Sequence, residues 1–155
     1  MEQKSIKLII ESKLENVALL GMAINKLCSL TPLSEVESYQ VELCVVEAVN
    51  NSIKHAYEGK ACNEVEVVFT LYPSKVVVDV CDRGKSMEQS IFNEKQLSAL
   101  EVDPNDIMKL SESGRGIPII KEVMDSVVYK SKEGKNCLTM IKRLEARGGK
   151  DNDSI

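Results

Sequence analysis

Apolar residues at Leu14, Val17, Ala18, Gly21, Ile24 and Cys28 recur at intervals of three and four. That spacing predicts a helix over 14–30. Leu20, Leu27 and Leu30 widen its apolar face, so the helix is expected either to be deeply buried or to serve two surfaces, core and partner. A short strand, Ser5 to Ile10, is predicted before it. Thr31-Pro32-Leu33 breaks the helical pattern. Ser34 then has the character of an N-cap, with Glu37 at capping-box spacing, and a long helix is predicted to about Ala56. Glu58-Gly59-Lys60 closes it, Gly59 being suited to a left-handed cap.

From Glu64 the period changes to two. Val65, Val67, Phe69 and Leu71 point one way and Glu64, Glu66 and Thr70 the other, which predicts a half-buried strand. A turn at Tyr72-Pro73-Ser74-Lys75 leads into a more apolar strand, Lys75 to Cys81, and the two read as a hairpin. Residues 83–113 have no clean period and contain Asp103-Pro104-Asn105-Asp106. They are expected to form a long loop with a helical turn, of the kind that carries function or moves. A helix from Gly116 to Met124 follows, then strands Ser126 to Ser131 and Asn136 to Leu144, joined at Glu133-Gly134-Lys135. The expectation is one domain over 1–146 and a polar, frayed tail over 147–155.

Composition narrows the class. The chain has 155 residues, 43% apolar and 28% charged, with a net charge of −4. These values suit a single globular domain and argue against a general nucleic-acid binder, which needs a basic surface. No window approaches the roughly 20 apolar residues of a membrane span, and the opening residues do not resemble a signal peptide. The five cysteines, Cys28, Cys44, Cys62, Cys81 and Cys137, contain no C-x-x-C pair, and His55 is the sole histidine, so a Cys/His zinc site has almost no support. Four of the cysteines lie in apolar stretches. They are expected to be small core residues of a reduced, cytoplasmic protein.

Candidate chemistry concentrates in VELCVVEAVNNSIKHAY, residues 41–57. Glu47, Asn51 and His55 recur every four positions, on one helical face that drifts by about 40° per step. A polar stripe in an apolar helix is costly without partners. Either it is a solvated face, or it meets a ligand such as a metal–nucleotide. An Asn carbonyl oxygen is a hard ligand suited to Mg2+, and a Glu one turn away can take a proton from a hydroxyl. Asp82-Arg83-Gly84 ends the second hairpin strand. A carboxylate there can accept a hydrogen bond from an adenine amine, with Gly84 allowing close approach or a sharp turn. Taken alone, the triplet is better explained by common turn chemistry. Ser113-Gly114-Arg115-Gly116 opens a predicted helix, where backbone N–H groups favour an anion and Arg115 adds positive charge. Alone, a G-x-G is weak.

The order of these motifs is more specific than any one of them. Helical E-x-x-x-N, strand-end D-x-G, a long loop and a G-x-G before a helix resemble the GHKL ATPases with their Bergerat nucleotide-binding fold. Within that group the chain resembles the anti-sigma-factor serine kinases, most closely in EAVNNSIKHAY, DRGKSM and LSESGRGIPIIKEVMDSVVY.

The resemblance implies an α/β two-layer sandwich, with a mixed, largely antiparallel sheet and helices on one face. It implies ATP and Mg2+ as cofactors, Glu47 as general base and Asn51 as the Mg2+ ligand. Asp82 would hold adenine beside Gly84. Gly114, Arg115 and Gly116 would surround the phosphates at the base of a lid over 85–113, and Lys54 and His55 would border the pocket. The implied partners are a sigma factor, held by the protein, and an anti-anti-sigma protein phosphorylated on serine, with a homodimer as the assembly.

Two departures stand out. Met87 replaces the aromatic residue many relatives have after D-x-G. Lys135-Asn136-Cys137-Leu138-Thr139 stands where many have a Gly-Thr pair supporting the aspartate, leaving open whether Asn136 or Cys137 fills that place. Of the rivals, a histidine-kinase catalytic domain needs a phosphoacceptor histidine, and His55 lies inside the nucleotide motif. A non-catalytic partner-switching module, with ATP as structural ligand or none, is the alternative from a different class.

Overall fold

The alternating segments build a five-stranded sheet, and the helical segments pack on one of its faces. The computed structural model describes residues 2–94 and 116–145. In chain order it comprises β1 (Lys4–Glu11), a 3-10 turn (Leu14–Asn16), α1 (Val17–Ser29), α2 (Glu35–Asn51), a π-helical turn (Ser52–Ala56), β2 (Glu64–Leu71), β3 (Lys75–Asp82), α3 (Gln89–Glu94), α4 (Gly116–Val123), β4 (Ser126–Lys132) and β5 (Lys135–Arg143). The strand order is β1-β2-β3-β5-β4, and all four pairings are antiparallel. The tail expected over 147–155 and most of the expected lid lie outside the described residues.

Period two divides the strands into two faces. Val65, Val67 and Phe69 of β2, Val76, Val78 and Val80 of β3, and Leu138 and Met140 of β5 are buried in one core with the helices. Each fully buried side chain of this kind contributes roughly 1.5–3 kcal/mol. The opposite face is more polar. There Ser5 and Thr70 share a hydrogen bond, Thr139 Oγ1 donates to Asp79 Oδ1, and Glu66 pairs with Lys7 at 2.6 Å and Lys135 at 3.2 Å. Those two ammonium groups hold the Glu66 carboxyl below its ordinary range, the Lys7 hydrogen bond having the largest effect.

The helices start and stop where local chemistry directs. Ser34 Oγ accepts from the Glu37 N–H at 3.1 Å, while Glu37 Oε2 accepts from the Ser34 N–H at 2.7 Å. This reciprocal cap is worth about 1 kcal/mol. Gly59 has φ +73 and donates its N–H to the Ile53 carbonyl at 2.8 Å, which closes the helical run. The α-helix itself ends earlier than its sequence predicts. After Asn51 it widens into a π turn, with the Tyr57 N–H reaching the Ser52 carbonyl five residues back. Such turns recur at functional sites.

Helix α1 buries Val17, Leu20, Ile24 and Cys28 and lies against α2 through Gly21, where an added Cβ would stand 2.9 Å from Val46 Cγ2. Its other face carries exposed Leu19 and Met22, continued by Leu30, Val36 and Tyr39. Of the residues expected to widen the apolar face, Leu20 is in the core, Leu27 packs against it and Leu30 is exposed. Among the described residues, no helix is long and apolar enough to cross a membrane.

The cysteine expectation needs correction. Cys28 and Cys44 are buried, and desolvation pushes both thiols up to about 12. Cys62 is exposed. Cys81 and Cys137 are joined by a disulfide. They stand directly opposite each other on β3 and β5, a cross-strand adjacency that sequence spacing does not display.

Candidate active site

The C-terminal end of α2, the end of β3 and the inner face of β4 and β5 meet around a cavity of about 330 Å3. Ala48, Asn51, Ser52 and His55 line it from the helical run, and Val80, Asp82, Asn136 and Leu138 from the sheet. Ala56, Lys85, Ser86, Met87, Ile117 and Tyr129 complete the wall. Asn51 and Asp82, 31 positions apart in sequence, thus face one space.

Asp82 is held firmly. Its Oδ1 accepts from the Gly84 N–H at 3.0 Å and from Asn136 Nδ2 at 2.8 Å. Both bonds fall on the same oxygen, so Oδ2 is the one placed to accept from a ligand. Asn136 is itself oriented by Ser131, whose Oγ donates to Asn136 Oδ1 at 2.6 Å, and Asn136 Nδ2 also reaches the Gly84 carbonyl at 2.9 Å. The position beside the aspartate is therefore filled by Asn136, and Cys137 points to the other face of the sheet.

Gly84 is a glycine for a reason other than contact with a base. A Cβ there would lie 2.3 Å from the Ala56 carbonyl oxygen, and the Lys85 N–H donates to that same carbonyl at 2.8 Å. The D-x-G turn is thus docked onto the π turn, fixing the strand end against the helix end. Tyr57 reinforces the junction. Its hydroxyl donates to the Glu64 carbonyl at 2.6 Å and accepts from the Arg83 N–H at 2.8 Å, and burial raises its pKa above the ordinary phenol.

Glu47 is buried on α2, at 7% exposure, and does not line the cavity itself. Its carboxylate lies against the first residue of α4, since a Cβ on Gly116 would stand 2.7 Å from Glu47 Oε2. Asn51 Nδ2 is buried and has no hydrogen-bond partner among the described residues. An unpaired buried amide is costly, and a polar ligand in the cavity would satisfy the Asn51 side chain. His55 is exposed and lines the cavity; Lys54 is exposed and lines a separate cleft beside Lys13 and Glu15. Gly114 and Arg115 lie outside the described residues.

Tyr129 of the wall and Ser131, which bonds Asn136 from behind it, have roles that no sequence motif marks. Tyr129 looks from sequence like one more apolar strand residue, but its hydroxyl accepts from the Met87 N–H at 2.9 Å, and desolvation raises its pKa. Its ring lies 5.7 Å from that of Phe92, which anchors α3. Lys121 of α4 bonds the Phe92 carbonyl and covers its ring at 4.2 Å. Ser131, which orients Asn136, is equally silent in sequence. The alternation of β4, with Tyr129 and Ser131 on the same face, is the one signal that marks them.

The model of the histidine kinase-like ATPase domain matches residues 10–142. The chain belongs to this family. Relatives of this ATPase domain include the serine-protein kinase RsbW of Listeria monocytogenes, 30% identical over 133 residues and covering 83% of this chain and 81% of the relative. The Bacillus cereus protein of the same name is 27% identical over 139 residues, with 87% and 82% covered. Among solved structures, the SiaB–SiaC complex from Pseudomonas aeruginosa contains a chain sharing the fold, with a TM-score of 0.54, 12% identity and coverage of 88% and 89%. As a histidine kinase-like ATPase domain, the chain has an ATP site as its expected chemistry, and the cavity is the place its geometry offers. Among the described residues no cluster of three or more His, Cys, Asp or Glu side chains forms a metal cage. Mg2+ held by one amide oxygen, with phosphates and waters as its other ligands, fits that donor set.

Proposed function

We propose that this chain is an ATP-dependent serine protein kinase that holds a sigma factor and phosphorylates a serine on an anti-anti-sigma partner, in the cytoplasm. The observation that carries the reading is the convergence of Asn51, from the end of α2, and Asp82, from the end of β3, on one cavity. Asp82 Oδ2 accepts the adenine amine while Asn136 and the Gly84 N–H hold Oδ1. Asn51 is the side chain that would hold Mg2+, an ion that neutralises phosphate charge when bound. Gly114, Arg115 and Gly116 are assigned to the phosphates.

In the transfer, the serine hydroxyl oxygen attacks the γ-phosphorus. A new O–P bond forms, the bond to the bridging oxygen breaks, and ADP leaves with that electron pair. Glu47 accepts the hydroxyl proton. The added charge weakens the partner's docking surface. The apolar row Leu19, Met22 and Leu30, with Val36 and Tyr39, supports a protein-docking or dimerising face.

The position of Glu47 outside the cavity wall favours a second reading, a partner-switching module that uses ATP as a structural ligand. Incubation with labelled ATP, Mg2+ and a candidate anti-anti-sigma protein separates the two. Label on a partner serine, lost in Glu47→Ala, supports the kinase. Nucleotide binding without transfer to any partner supports the module, and transfer by Glu47→Ala at the wild-type rate removes Glu47 from the mechanism.

A further inference from the structure

Cys81 and Cys137 form a bonded cross-strand pair with Cα atoms 4.2 Å apart, and their place in the sheet gives the bond a consequence. The next rung of the β3–β5 ladder is Asp82 opposite Asn136. Side chains of successive strand residues point to opposite faces. The sulfur pair therefore sits on the outer face, and the Asp82–Asn136 hydrogen bond lies one residue away on the cavity face.

On the outer face Cys137 is half-buried and reachable, while Cys81 is buried at 5% exposure. Cys81 lines a second cleft, of about 310 Å3, together with the exposed Cys62 and with Glu66, Arg83 and Lys135. Cys137 is flanked on its other side by Lys130 of β4. Arg83, Lys135 and Lys130 surround the pair together with Glu64 and with Glu66, which stands directly opposite Cys81; the thiolate is the species that undergoes exchange. In a reducing compartment, protein disulfides are chiefly transient or redox-sensing.

We propose that Cys81 and Cys137 are a reversible thiol–disulfide site on the back of the nucleotide pocket, and that the bonded state tightens the pocket's grip on adenine by fixing the Asp82–Asn136 rung. The co-reactant is a low-molecular-weight disulfide. One protein thiolate attacks it, forming a mixed disulfide and releasing one small thiol. The second protein thiolate attacks the sulfur of the first, forming the Cys81–Cys137 bond and releasing the second small thiol. Two protein thiols are oxidised and one small disulfide is reduced. The inference rests on the reading of the cavity as an adenine site. A side chain held in its binding geometry before the ligand arrives costs less to order, so the bonded form should bind more tightly, by about three- to tenfold.

The test equilibrates the full chain over a series of glutathione to glutathione-disulfide ratios. Mass spectrometry then measures the Cys81–Cys137 linked peptide, and calorimetry measures ATP affinity at the two extremes. The expected result is a linked peptide that appears and disappears with the ratio, with tighter ATP binding in the oxidised form. Cys62→Ser should keep this behaviour, and Cys137→Ala should bind ATP with an affinity insensitive to the ratio. The wild-type titration needs no variant and decides the matter even if Cys137→Ala does not fold. Cysteines 81 and 137 that remain free at every ratio would overturn the site. A linked peptide with equal ATP affinity in both forms would overturn the coupling. Absence of ATP binding in both forms would sink the adenine pocket and the coupling together, while leaving the thiol chemistry visible in the peptide data.

Discussion

Asn136 donates to Asp82 across 2.8 Å from the directly opposite position on β5, so the orientation of the acid on one strand is set by an amide on another. The carboxylate can then offer its second oxygen to a ligand without first reorganising. Removing the amide leaves Asp82 buried with a lost partner, which costs about 1–3 kcal/mol. Asn136→Ala is therefore expected to weaken ATP binding by about tenfold with the sheet intact. Calorimetric titration checks this, and wild-type affinity in the variant would mean that Asp82 needs no such support.

Gly84→Ala should act on the fold rather than on the ligand directly. Its methyl group would face the Ala56 backbone carbonyl at 2.3 Å, an atom that cannot swing aside. The expected cost is that of overpacking, about 1–3 kcal/mol, measured by denaturant unfolding. An unchanged midpoint would show that the D-x-G turn is not docked onto the π turn.

Gly116→Ala presents the opposite case. The nearest atom is Glu47 Oε2, the far end of a flexible side chain, so the backbone should tolerate the methyl group and the carboxylate should move. Stability is expected to change by less than about 1 kcal/mol, whereas phosphoryl transfer falls, as it should in Glu47→Gln, and ATP binding changes less than transfer does. Single-turnover assays beside unfolding curves make the comparison. A variant that transfers at the wild-type rate would argue that Glu47 has no part in the chemistry.

The cysteines differ in reactivity by burial. Cys28 and Cys44, raised by desolvation to about 12, remain neutral thiols at pH 8 and should resist alkylation in the folded chain, whereas exposed Cys62 should react at once. Peptide mapping after brief iodoacetamide treatment reads the pattern. The same shifts make stability pH-dependent. The unfolded thiols ionise near 9.0, while the folded ones keep their protons, so their contribution is whole below about pH 9 and declines as pH climbs toward about 12. Stability that stays flat over that interval would argue against the burial of both thiols.

The chain's local patterns already contained most of its elements. Period two in Glu64 to Leu71 and the Ser34–Glu37 cap operate over a few residues, and the left-handed Gly59 is equally local, so each was legible without knowledge of the fold. The motif order Glu47–Asn51, Asp82–Gly84 and Gly116 was legible for the same reason, because each motif is short and its family likeness lies in the residues themselves.

Tertiary structure alone decided which distant residues share a space. Pairing of β3 with β5 brings Asn136 to Asp82 and Cys137 to Cys81, 54 and 56 positions apart. The fold also turns Tyr129 and Ser131 into cavity-side partners, places Lys54 outside the cavity, and docks Gly84 on Ala56. Strand register sets all of these, and register comes from how the whole sheet packs under the helices, a property that no single segment of sequence encodes.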